Sequence, residues 1–544
     1  MVVAPHYLAS QAGLAVLREG GNAVEAAIAT AACLCVVYPH MSGLGGDAFW
    51  TIYEPEGGRV RCIEGVGLSG SRVSAEALRK AGHKYLPRRG SQAMLTCPGA
   101  VSGWSKALEV AAPWASSISS GLPLPLPRLL EDAIYYAEHG FPVSAGQSRL
   151  TREGLDELKA QPGFARQFLQ DAQPPAPGMR HTLPALARTL RRLGKEGLEA
   201  FYQGKLAEDI AAELKEAGSP LTMDDLKAQR AALRDPLQLR FGSGPPVTLY
   251  NCPPPSQGVS SLMILGIYNR LAAAANSSQT AATGDSSDNF DLVHGLVEST
   301  KLAFLLRDAH LADPEHMRAS VESWLKPEFL AELADKIDPA KAMTWHSPET
   351  GGDTVWFGVI DSAGRAVSCI QSIYFEFGSG VVLPESGITW HNRSLGFSLD
   401  PEHPNRLGPR KRPFHTLNPA LAIFDDGRIM PYGCMGGEGQ PQTQAALFSR
   451  YAWEGYDLQQ AISAPRWLLG RAWGDASSSL KLESDFSPEV TRKLKEAGHP
   501  VELVPPLNDM MGHAGALVLH STGPNRGLIE GAADPRSDGA AACW

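Results

Sequence analysis

Apolar residues along the first two thirds of the chain recur at three-to-four spacing. The pattern predicts helices over Pro184 to Gly194, Gly197 to Gly218 and Asp291 to Ala312. The longest apolar run, Ala26 to Val37, contains threonine and is too short to cross a bilayer, so it reads as a buried core helix. From Thr354 onward the period changes to two. Val355 to Asp361 and Ala366 to Tyr374 read as strands joined by the turn Asp-Ser-Ala-Gly, and Leu421 to Gly433 as a hairpin with Asp-Asp-Gly at its tip. A helix-rich first part and a strand-rich second part predict an α+β fold. Two segments read as inserted loops: the proline-punctuated Pro113 to Pro127, and Ala275 to Asn289, which offers little apolar surface against the entropy of ordering.

Composition narrows the class. At 43% hydrophobic and 20% charged, 544 residues can bury a sizeable core. A formal net charge of −9 leaves one dense basic run, Arg410 to Arg412, which argues against nucleic-acid binding. The eight cysteines, Cys33, Cys35, Cys62, Cys97, Cys252, Cys369, Cys434 and Cys543, show neither C-x-x-C pairs nor histidine spacing. That excludes a sequence-legible zinc site and favours a reducing compartment. Met1 to Ser10 lacks the basic start of a signal peptide, so the chain as written reads as cytoplasmic, without a membrane partner.

The chemistry centres on Gly351 to Asp361, Gly-Gly-Asp-Thr-Val-Trp-Phe-Gly-Val-Ile-Asp. A cut before Thr354 would leave one residue carrying both a hydroxyl nucleophile and an α-amine to serve as its base. Taken alone, such a segment is more often a plain loop-to-strand junction. Its meaning comes from the motifs around it: Ser42 to Trp50 (SGLGGDAFW), Asn251 to Gly258 (NCPPPSQG), Gly378 to Ile388, Arg410 to Ile423 (RKRPFHTLNPALAI), Gly433 to Leu447 (GCMGGEGQPQTQAAL) and Gly531 to Ala541. In this order, and over nearly the whole length, they resemble the γ-glutamyltransferase family of N-terminal nucleophile hydrolases.

The resemblance implies a four-layer αββα sandwich, autoprocessed between Asp353 and Thr354 into a large subunit, residues 1–353, and a small subunit, residues 354–544. The two fragments would form one globule, a heterodimer whose further pairing is left open. It further implies Thr354 as nucleophile, Gly436 and Gly437 as oxyanion donors, and Ser372, where the family has a threonine, beside the nucleophile. No metal or organic cofactor is implied.

The substrate-holding positions depart from true γ-glutamyltransferases. Val66 stands where that family has a carboxylate-binding arginine, Gly396 where it has an ammonium-binding acid, and His415 and Thr416 replace a serine pair. Arg393 adds a cation. Losing the anion and gaining a cation points to a small anionic amide without an amino group, and the chain is most similar to the oxamate amidohydrolase branch. Arg393 is then the expected carboxylate clamp, with His415 and Thr416 as neutral donors and Tyr374 as wall or hydroxyl donor. A solvated surface position is the plain alternative for Arg393. His391 and His513 are noted and not chosen as catalytic, the mechanism already having its base. Two alternatives stay open: a glutathione hydrolase, γ-glutamyltransferase or cephalosporin (glutaryl) acylase on the same frame, and an uncleaved, non-catalytic scaffold.

Overall fold

The computed structural model describes residues 1–117, 123–242, 244–278, 290–345, 353–470 and 478–544. The strands of its two large sheets, numbered in chain order, are β1 (Val2–Ala4), β2 (Asp47–Glu54), β3 (Arg59–Gly65), β4 (Ala232–Arg234), β5 (Leu237–Phe241), β6 (Val247–Asn251), β7 (Asp353–Ile360), β8 (Ala366–Tyr374), β9 (Ala420–Phe424), β10 (Arg428–Cys434), β11 (Ala514–His520), β12 (Ile529–Ala533) and β13 (Ala540–Ala542). Seven form one sheet in the order β13-β1-β7-β8-β2-β3-β4. Six form the other in the order β12-β11-β10-β9-β6-β5.

Alternation along β7 explains how the sheets stack. Val355, Phe357 and Val359 enter a core shared with the helices Tyr7–Arg18, Ala23–Val37, Ala100–Ala111, Leu126–His139 and Pro184–Glu196. Trp356 and Ile360 point the other way, into a core with Phe49, Ile370, Leu421, Ile429 and Leu517 that lies between the two sheets. A third core packs the far face of the second sheet on the helices Gly258–Ser278, Phe290–His310 and Gln440–Ala452. Helix, sheet, sheet and helix follow in layers, the expected αββα order.

Trp356 locks the two sheets together. Its Nε1 donates to Ser368 Oγ at 2.9 Å. Its ring fills space that side chains would otherwise take: a Cβ on Gly433 would lie 2.1 Å, and one on Gly515 2.3 Å, from ring atoms. The buried helix expected from the apolar run spans Ala23–Val37, is buried at every position, and starts at an Asn22–Glu25 capping box.

Three expectations need adjustment. Gly197 to Gly218 is two elements, Leu198–Phe201 and Lys205–Glu216, broken where Gly204 takes φ of 79°. The proline-rich insertion is shorter than expected: a helical turn runs over Ala112–Ser117, and a helix over Leu126–His139 starts with proline in its first turn, where a missing N–H costs nothing. The helix Gly258–Ser278 extends into the second predicted loop, the rest of which lies outside the described residues, as do Gly351 and Gly352. Among the described residues no helix is long and apolar enough to cross a membrane.

Candidate active site

Thr354 is the second residue of β7 and is fully buried. Across the ladder, Gln371 pairs with Val355 and Tyr374 with the backbone of Asp353, so a bulge sets Ser372 and Ile373 opposite Thr354. Ser372 pairs on its other side with Asp47 of β2. Its Oγ accepts the Tyr374 N–H at 2.7 Å, which stabilises the bulge and helps hold Tyr374 at φ of 79°.

The Thr354 hydroxyl receives a hydrogen bond from Gln440 Nε2 at 2.9 Å. Gln440 is held in turn: its Oε1 accepts from Asn418 Nδ2 at 3.0 Å, and Ser261 Oγ lies 2.9 Å from Asn418 Oδ1. An N–H donated to Oγ1 occupies a lone pair and leaves the hydroxyl proton to point toward an acceptor, as a nucleophile needs. Gln440 and Asn418 lie inside the quoted motifs, but nothing along the chain marks them as partners of Thr354.

Gly436 and Gly437 form the turn between β10 and the helix Gln440–Ala452. Gly436 has φ of 119° and Gly437 φ of 52°, conformations that favour glycine. The carbonyls on this turn are tied down. Gly436 O accepts the Gly439 N–H at 2.8 Å and Gly437 O accepts Gln257 Nε2 at 2.9 Å. The N–H groups of Gly436 and Gly437 have no acceptor among the described residues, as oxyanion donors require.

Arg393 is buried, which removes the solvated-surface alternative. Its guanidinium carbon lies 3.8 Å above the Tyr374 ring, Nη1 donates to Thr416 Oγ1 at 3.2 Å, and Nε stands 4.0 Å from Asp47 Oδ2. Among the described residues Nε and Nη2 have no hydrogen-bond partner. Burial, opposed by Tyr374 and Asp47, lowers its pKa to about 10, so it stays charged at neutral pH. Burial likewise raises Tyr374 to about 12, keeping the phenol protonated.

His415 and His391 both face Asp47 Oδ2, at 3.1 and 3.4 Å. His415 Nε2 is therefore engaged by Asp47, and the ring supports the site from within the protein. Burial and then Arg393 depress its pKa to about 3, so it is neutral. His391 Nε2 contacts Thr96 at 3.0 Å, and His513 supplies the carbonyl that accepts the Met435 N–H, next to Gly436.

A cleft of about 570 Å³, with Tyr374, Gly396, Phe397, Phe414, Arg307 and Glu438 among its walls, reaches this group through Tyr374, whose ring packs on the buried Arg393. Arg307 Nη2 lies 3.2 Å from Glu438 Oε2, and its Nη1 donates to Gln257 Oε1 at 2.9 Å. Gln257 thereby joins this wall to the glycine turn. Gly396 cannot bear an acidic side chain, because a Cβ there would lie 2.4 Å from Phe414 O. Val66 is buried, and its carbonyl accepts Gln229 Nε2 at 2.9 Å.

The expectation of no ligand cluster meets one exception. His294, Glu298 and His499 bring potential metal-binding atoms within 4.8 Å of one another. Lys301 Nζ already sits 2.6 Å from Glu298 Oε1, and His294 Nδ1 lies 2.9 Å from His499 Nε2, so these atoms are already engaged with one another and with a lysine.

Comparison with known proteins agrees with this geometry. The gamma-glutamyltranspeptidase family model matches residues 9–544. The chain is 53% identical to the oxamate amidohydrolase proenzyme of Klebsiella pneumoniae, covering 100% of this chain and 98% of that protein. It is 41% identical to the glutathione hydrolase-like YwrD proenzyme of Bacillus subtilis, covering 99% and 98%. The crystal structure of cephalosporin acylase from Bacillus halodurans superposes with a TM-score of 0.87 at 31% identity, covering 100% of this chain and 95% of that one. With a strand-borne threonine, a glycine turn of unpaired N–H groups and a match along nearly its whole length, the chain belongs to the gamma-glutamyltranspeptidase family of N-terminal nucleophile amide hydrolases.

Proposed function

We propose that the protein cuts itself between Asp353 and Thr354 and then hydrolyses oxamate to oxalate and ammonia. The observation that carries the substrate is Arg393: a buried cation with two unpaired N–H-bearing nitrogens calls for an anionic ligand. The missing acid at Gly396 and the missing arginine at Val66 leave an α-amino acid without its usual partners. The 53% identity to a protein named oxamate amidohydrolase adds support.

In the proposed reaction Arg393 receives the carboxylate, Tyr374 walls the pocket and Thr416 keeps the guanidinium in place. Thr354 Oγ1 attacks the amide carbon as its proton passes to the Thr354 α-amine. The oxyanion rests on the N–H groups of Gly436 and Gly437, each donor of this kind contributing about 3 kcal/mol. The C–N bond then breaks and ammonia leaves with that proton. Water, deprotonated by the same amine, attacks the ester, releasing oxalate and restoring the hydroxyl. Ser372 holds the strand bulge beside the nucleophile. Residues 1–353 and 354–544 would be the two subunits, roughly 38 and 20 kDa from their lengths, working in the cytoplasm.

Intact mass and ammonia release test this. Two fragments meeting at Asp353 and Thr354, with ammonia from oxamate, are expected. Thr354→Ala should stay full length and inactive. Fragments that turn over only glutathione would overturn the substrate, and a single intact but active chain would overturn the nucleophile.

A further inference from the structure

The reaction just described has no use for an acid beside the clamp, yet Asp47 is fully buried there. Its Oδ1 accepts the N–H groups of Gly67 at 3.0 Å and Gly99 at 2.9 Å. Its Oδ2 faces His415, His391 and, at 4.0 Å, Arg393 Nε. Burial alone would raise its pKa, but the facing His391 and His415 rings hold it well below the usual carboxylate range. Asp47 is therefore an anion. It does not clamp Arg393, whose Nε remains without a hydrogen bond. Asp47 thus sets a negative charge against the Arg393 cation before a ligand arrives.

Resting on the assignment of Arg393 as carboxylate clamp, we propose that Asp47 is a specificity-determining residue that sets the charge of this pocket, so that the monoanionic amide is held and the dianionic product is released. A ligand on Arg393 Nη2 would lie roughly 6–8 Å from the Asp47 carboxylate, where each unit of like charge, at an effective dielectric constant of about 20, weakens binding roughly 30- to 100-fold. Oxamate meets that repulsion once and oxalate twice. Without Asp47 the pocket would be one unit more positive, and oxalate, which can offer either end to the arginine, would stay bound after turnover. Glu438 and Asp308 share Arg307, Tyr374 is protonated, and Asp47 is the carboxylate that stands beside Arg393.

Asp47→Asn tests the proposal, because its Oδ1 can still accept from Gly67 and Gly99 while the charge is gone. Calorimetric titration with oxalate and with glycolate, a monoanion of similar size, is run on the processed wild-type protein, Asp47→Asn and Arg393→Ala, alongside oxamate kinetics. In Asp47→Asn, oxalate is expected to bind at least tenfold tighter than to wild type, with a smaller gain for glycolate, and both KM and kcat for oxamate should fall as product release slows. An unchanged oxalate-to-glycolate ratio in an Asp47→Asn protein of wild-type melting temperature overturns the role of Asp47. If Arg393→Ala binds both anions as wild type does, the clamp itself is wrong. Should Asp47→Asn not fold, the wild-type protein decides: oxalate binding more than tenfold tighter than glycolate overturns the proposal, and comparable or weaker binding supports it.

Discussion

Gln440→Leu separates the machinery that both proposed reactions share from the groups that only hold substrate. Leucine fills a similar volume at this fully buried position but removes the 2.9 Å donor to Thr354 Oγ1 and the 3.0 Å acceptor for Asn418 Nδ2. Asn418 Nδ2 keeps its 2.8 Å bond to Thr416 O, so one of its two N–H groups is left buried and unpaired. That should destabilise the fold by about 1–3 kcal/mol. Loss of the donor lets the hydroxyl rotate away from attack. If the alignment is worth about 1–3 kcal/mol, the rate falls roughly 5- to 150-fold. In the proposed reactions the same oxygen performs self-cutting and substrate attack, so both should slow together. The assay is a time course of intact mass on fresh protein, with ammonia release from the processed fraction and a melting curve alongside. Wild-type cutting and turnover in Gln440→Leu would refute the orienting role. A lower melting temperature with wild-type rates would leave Gln440 a purely structural residue. Gln440→Glu isolates the single bond, since its carboxylate still accepts from Asn418 but no longer donates to Thr354.

Other consequences follow from the same geometry. Gly436→Ala places a side chain at φ of 119°, straining the backbone by about 1–3 kcal/mol and disturbing the oxyanion donors, so kcat should fall on the order of 10²–10³-fold; wild-type kcat would remove this turn from the mechanism. Trp356→Ala should cost about 3–5 kcal/mol of stability by emptying the slot between the sheets, read as a lower denaturant midpoint, and an unchanged midpoint would show that the sheets do not depend on it. Burial depresses His415 to about 3 and His6, His181 and His513 to about 4, from 6.5. The unfolded chain therefore takes up protons first, and this stability is full above about pH 6.5 and lost as pH falls toward 4 and 3, at about 1.4 kcal/mol per unit per group. Glu64 and Glu376, raised by burial, oppose the trend in part. A melting temperature at pH 5 equal to that at pH 7.5 would refute the neutral buried histidines.

Local order was legible along the chain wherever it depends on near neighbours. The two-residue period of β7 separates Val355, Phe357 and Val359 from Trp356 and Ile360, because successive side chains on a strand leave opposite faces, and the structure sends the two sets into different cores. The hairpin of β9 and β10 and the all-buried helix Ala23–Val37 follow from pattern and turn chemistry in the same way. The break at Gly204 did not, since a helix-compatible glycine and one at positive φ are the same letter.

The site is legible only as a set of residues. Thr354, Gly436 and Gly437 stand in motifs that announce them, and Gly396 and Val66 are informative by what they lack. Whether Arg393 meets water or a ligand depends on Asp47, Tyr374 and Thr416, which reach it from β2, from the end of β8 and from the loop before β9. Gln440 finds Thr354 from 86 residues away, and Asp47 finds His415 across 368. Burial and charge pairing arise only when such segments close on one another. The chain alone determined which groups are present and how each strand faces. The folded structure decided which cation lies buried with unpaired N–H groups and which carboxylate stands beside it, because Coulomb energy and desolvation depend on distance in space and not along the sequence.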